Sequence, residues 1–238
     1  MKFMATRLLT ITSATVCLLA GTAQANATVE TYRHRGFGAV FGSESLTECG
    51  RTEFDVPLYV RVGFFLSTQT DQYRGTQPQP GGKITILNIS YFSECTNTFS
   101  TIDGQSNFNP NNLPGVVDNS QIARDLGSAE FSATIPMALN RGDFTGITCP
   151  ILATVTGSLQ ATEEPVTTSS KESFSSPGFQ IRYKAKGARA SAAGNYSINI
   201  GFTADCNVAG FSPLLTGTTN DGSISNSTDG SITITRTR

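Results

Sequence analysis

One histidine and five cysteines bound the chemistry open to this chain. Cys17 lies in an N-terminal apolar run expected to be cleaved, and Cys49, Cys95, Cys149 and Cys206 could close disulfides or hold a metal. Structural zinc sites bring thiolates in close pairs such as C-x-x-C, because one backbone corner then supplies two ligands. Here the four lie dozens of residues apart, so the spacing argues for disulfides and against zinc. Four cysteines allow three connectivities. Their spacing suggests the sequential one, Cys49 with Cys95 and Cys149 with Cys206. Each bridge would contribute roughly 4 kcal/mol in the loop-entropy model.

His34 is the sole histidine, so any Ser-His-Asp or Cys-His engine would have to use it. It sits in Tyr32-Arg33-His34-Arg35-Gly36, between two cations that lower its basicity, and no G-x-S-x-G elbow accompanies it. A multi-histidine metal site is impossible. His34 is expected to be an exposed polar residue near a flexible end.

The acids assemble no better. Glu163-Glu164 is the only adjacent acid pair, and neighbours on a strand point to opposite faces, so the two cannot flank one sugar ring. Glu94 and Asp205 each precede a cysteine and read as exposed strand ends. Asn220, Asp221, Ser223, Asn226 and Asp229 form an oxygen-rich cluster without a calcium-loop pattern. Their Asp-Gly pairs are explained by tight hairpins.

Two features bear on ligand binding. The chain has no Trp, the usual platform for stacking a sugar, although Tyr32, Tyr59, Tyr73, Tyr91, Tyr183 and Tyr196 could substitute. The stretch RYKAKGAR holds the densest positive charge. On a strand, Arg182, Lys184 and Lys186 would share one face and make a basic ladder suited to an acidic glycan or lipopolysaccharide. A solvated sheet face is the plainer account of the same residues.

The elements that would carry these residues are strands. FDVPLYVRVGFFL puts Val56, Leu58, Val60 and Val62 on one parity, the period of a half-buried strand, and Pro57 places its start or a sheet edge. Further strands are expected at KITILNISY, Ala129 to Leu139, ILATVTGSLQAT (Gly157 a bulge), around Ile181, NYSINIGF and SITITRTR. Asn26 to Arg35, Gln69 to Gly82, Thr96 to Val117 and Glu163 to Pro177 read as irregular. NSQIARDL, Asn119 to Leu126, is the only candidate helix. The expected fold is all-β: an antiparallel β-sandwich or jelly-roll-like arrangement of about eight to ten strands with at most one short helix.

At the N-terminus, Lys2 and Arg7 precede an apolar run from Leu8 to Ala20, and Ala23-Gln24-Ala25 matches a signal-peptidase site. Residues 1–25 are therefore expected to be a cleaved signal peptide, leaving 213 of the 238 residues. The signal takes two of the 17 basic residues with it, so 15 remain against 18 acids, a formal charge of −3. That balance argues against nucleic acid as a partner. No segment after the signal is long and apolar enough for a spanning helix.

Residues 26–238 read as one secreted β-sandwich domain. A weak echo between Asn88 to Cys95 and Asn199 to Cys206 also allows two related lobes, about 36–106 and 128–238. The functional expectation is an exported, secreted or periplasmic protein of a bacterium that binds a glycan or an envelope protein at its surface. It has no catalytic set, no cofactor and no metal. Alternatives are an extracellular hydrolase or lyase acting on polysaccharide, and a structural subunit of an appendage or coat.

Overall fold

The computed structural model describes residues 28–75, 82–109, 112–141, 149–202, 206, 208 and 210–236. The expected signal peptide, Tyr73's side chain, Asp205 and Cys149's side chain lie outside the described residues. The strands are β1 (Thr28–Arg51), β2 (Pro57–Gly75), β3 (Gly82–Ser93), β4 (Thr98–Gln105), β5 (Val117–Asp118) and β6 (Gln121–Ile122). β7 (Ser128–Arg141), β8 (Cys149–Ala161), β9 (Val166–Ser176), β10 (Phe179–Gly201) and β11 (Leu214–Arg236) follow. The protein is all-β, and its strands form one antiparallel sheet, a sandwich-like arrangement.

The sheet runs β11-β1-β2-β3-β4-β7-β8-β10, and β10 pairs back onto β11, so eight strands close a ring. Successive long strands are neighbours, so the connectivity is a meander. An eight-stranded ring has just enough interior for side chains to fill. Phe41, Leu66, Leu87, Ile102, Phe131, Ile135, Leu139 and Ile198 fill it, all fully buried. Phe41 and Phe131 meet edge to face at 5.1 Å, and Tyr196 closes on Phe64 at 4.6 Å. The outward side chains include exposed Thr154, Thr156, Thr216 and Thr218, and also exposed Leu46, Phe99 and Leu214.

The period-two patterns place the strands well. β2 begins at Pro57, where its missing N–H is tolerated, and its even residues Phe64 and Leu66 point into the core. The two echo segments occupy the ends of β3 and β10. Their aligned Ile89 and Ile200 are both buried, and their aligned Tyr91 and Phe202 both pack edge-on against Phe211.

Several local expectations fail for physical reasons. Asn119 to Leu126 is not helical: Gln121–Ile122 pairs with β7, and Leu126 turns at positive φ. Pairing with β7 wins over a two-turn helix that is too short to be stable alone. Gly157 is not a bulge, because its register with both neighbours is regular. It instead lets the Asn195 carbonyl approach within 2.7 Å of where a Cβ would sit. The Asp-Gly pairs do not turn hairpins. They lie inside β11, where the register slips by one residue near Asp221 and again at Thr228. Each slip is a bulge, and the glycines beside the slips leave room for Leu159 at Gly222 and for the His34 ring at Gly230. The true tight hairpin is Pro177-Gly178, joining β9 to β10 with Gly178 at φ 78°. Proline fixes the first turn position and glycine accepts the positive φ of the second.

Candidate functional site

The long strands do not end where the ring closes. β10, β11, β1 and β2 run on past it, with β9 added at the far side of β10, and form a five-stranded flap. The lead-in from Thr28 to Arg35, expected to be loose, is the outer third of β1 in that flap. The polar stretch after Pro165, expected to be a loop, is β9, whose eleven residues are all exposed.

Register decides which side chains share a face. Lys171 of β9 pairs with Lys184 of β10, Lys184 with Ser231 of β11, and Ser231 with Arg33 of β1. Arg182 and Lys186 flank Lys184 on the same face of β10, and Arg35 follows Arg33 on β1. Neighbouring strands are about 4.8 Å apart and alternate residues about 6.8 Å, so six cations lie in a two-dimensional array. All six are exposed. None makes an ion pair among the described residues, whose salt bridges involve Arg51, Arg61 and Arg236 instead. Asp229, opposite Lys186, is the only acid on that face among the described residues.

The expected ladder of Arg182, Lys184 and Lys186 is thus present as one exposed row. Arg33, Arg35 and Lys171 were missed. They stand 150 or so positions away or on a strand with no apolar period, and only the strand register brings them alongside.

The other flap face is apolar and acidic. It carries Ile181, Tyr183, Ile232, Ile234 and Tyr32, with Glu30, Asp71 and Glu172 among them. His34 is buried there rather than exposed. Its ring stacks on that of Tyr183 at 5.5 Å and 11°. Gly230 pairs with His34 and makes this possible, since a Cβ on Gly230 would run into the imidazole ring. Burial lowers the His34 pKa, and the nearby Asp71 carboxylate partly opposes that shift. Burial, then Asp71 and Glu172, raise the Tyr183 pKa. The Tyr32 hydroxyl donates to Glu30 Oε2 at 2.8 Å, and that hydrogen bond raises its pKa.

The remaining candidates take part in packing and hydrogen bonds of the fold. Tyr91 is buried in the core, and Tyr196 packs against it from a partly buried position. The Glu94 carboxylate accepts the Tyr59 N–H at 2.8 Å, and Glu163 accepts the Ser191 hydroxyl at 3.3 Å. Thr68, Thr85 and Ser120 share buried hydroxyl contacts at 3.0 and 3.2 Å, and the Asp118 carboxylate beside them accepts the Ser120 N–H at 3.1 Å and the Ser106 hydroxyl at 2.7 Å. Among the described residues no group of acids, histidines and cysteines could hold a metal ion.

Cys49 and Cys95 form the expected disulfide across 46 residues. Cys206 is disulfide-bonded as well, while the side chain of Cys149 lies outside the described residues. A disulfide is compatible with an extracellular or periplasmic location. No protein-family model, curated protein or solved structure matches this chain.

Proposed function

We propose that this chain is an exported, non-catalytic binding protein whose flap captures an acidic glycan or similar anionic envelope polymer. The carrying observation is the array of Lys171, Arg182, Lys184, Lys186, Arg33 and Arg35 on one exposed face without ion-pair partners among the described residues.

Two physical points support this reading. Like charges set directly opposite each other across strands are destabilising, and Lys171 faces Lys184. The array is therefore a cost to the fold that an anionic ligand would offset. The sheet also holds the cations at fixed separations. Carboxylates or sulfates repeated along an extended polymer could meet several at once, with the arginines engaging two oxygens each. The flap's threonines and serines, such as Thr31, Ser173 and Thr233, stand between the cations and offer hydroxyls to sugar oxygens. Export rests on the signal-like N-terminus and agrees with the disulfides.

The test is retention of the oxidised mature protein on surfaces coated with a uronic-acid polysaccharide, with lipopolysaccharide and with a neutral glucan. Retention on the acidic surfaces alone is expected. Equal retention on the neutral glucan, or none anywhere, would remove the reading.

A further inference from the structure

We infer that β9 is a self-association edge through which two copies of this chain join their flaps into one continuous sheet. β9 hydrogen-bonds to β10 on one side and to no other strand among the described residues. An edge of eleven exposed residues, with no bulge and its prolines confined to the flanking positions 165 and 177, is a template for another strand. Natural edges of this length are normally blunted by charge, bulges or a covering element. β9 carries only Lys171 and Glu172.

Its sequence is complementary to itself in one register. Val166 and Phe174 are its two apolar residues, they lie on the same face, and they are 65% and 61% exposed. Their midpoint is Ser170. An antiparallel pair of β9 strands centred on Ser170 sets Val166 of each copy against Phe174 of the other, at both ends of the contact. In that register Lys171 faces Ser169, and Glu172 faces Thr168. Shifting the centre to residue 171 or 172 would set lysine against lysine or glutamate against glutamate, which opposes pairing. The Ser170 register alone covers both apolar residues while setting no like charges directly opposite each other. The contact is two-fold and isologous, so it uses the edge once and stops at a dimer. The cationic faces of both copies would then lie side by side on one sheet.

The experiment measures the mass of the oxidised mature protein by light scattering, together with single-cysteine variants. A dimer at micromolar concentration is expected. V166K and F174K, both at exposed sites, should give monomers with unchanged circular dichroism and melting temperature. Directly opposite residues on antiparallel strands have Cα atoms about 4.5–5.5 Å apart, within disulfide reach, so S170C should cross-link the dimer. S173C would be about 20 Å from its counterpart and should not. A wild-type protein that stays monomeric at high micromolar concentration would overturn the inference. So would cross-linking of S173C as readily as S170C, or dimers that survive both lysine substitutions.

Discussion

The closed barrel and the flap share β1, β2, β10 and β11, yet they obey opposite rules. Along β1, the odd residues run from Arg33 and Arg35 to Ala39 and Phe41 without a break in register against β2. Along β10, the even residues run from Arg182, Lys184 and Lys186 to Ala190 and Ala192. One face of one sheet is therefore apolar where the ring closes over it and cationic where the strands run on. Closure removes edges and water together, and the side chains follow. Inside the ring, burial sets the residue type. Beyond it, nothing in the described structure requires six unpaired cations, which is why the flap and not the barrel carries the functional reading.

Substitutions should separate the two regions. The largest effect is expected in the barrel. Phe131→Ala removes a fully buried ring from the aromatic cluster and should cost about 3–5 kcal/mol, read by chemical denaturation. It should leave ligand affinity per folded molecule unchanged. Gly230→Ala should cost less, about 1–3 kcal/mol, because its Cβ displaces the His34 ring from Tyr183. Hydrogen exchange should show that loss in the flap amides while the β7–β8 amides stay protected. Equal loosening of both regions would erase the distinction between them.

pH should also act on the flap first. The folded pKa of His34 is lowered below its ordinary 6.5, so the unfolded chain binds the proton more readily. Stability from the neutral, buried ring is complete above that ordinary value and is lost as pH falls below it. Flap amides should therefore exchange faster at pH 5.5 than at pH 7.5 after correction for intrinsic rates. A flap that tightens on acidification would contradict the burial of His34.

The smallest effect has the opposite sign. Lys184→Glu turns the like-charged pair with Lys171 into an attractive one and should stabilise the fold by about 0.2–1 kcal/mol. The same change should weaken polyanion binding. A gain in stability with a loss of binding would mark the cations as kept for a ligand.

Much of the barrel was legible in the sequence because burial writes a period of two into β2, β3, β7 and the end of β10. The flap was legible only in part. The β10 ladder is a local pattern, so Arg182, Lys184 and Lys186 could be read directly. β9 has no buried face and hence no period, and its serines and threonines resemble a loop. His34 looked exposed because its neighbours Arg33 and Arg35 are charged. Strand alternation puts those two on one face and His34 on the other, and its burial depends on Gly230, nearly 200 residues away. The Asp-Gly pairs sit by register slips rather than at turns, and their glycines give close approach to Leu159 and to the His34 ring.

The most direct test of the central claim is a titration of an acidic polysaccharide into the oxidised protein without residues 1–25 across a series of salt concentrations. It should be run in parallel with the R182E/K184E/K186E variant. Binding that weakens steadily with salt, and falls at least tenfold in the folded variant, is the expected result. Undiminished binding by that variant, or binding indifferent to salt, would contradict the assignment of function to the cationic face.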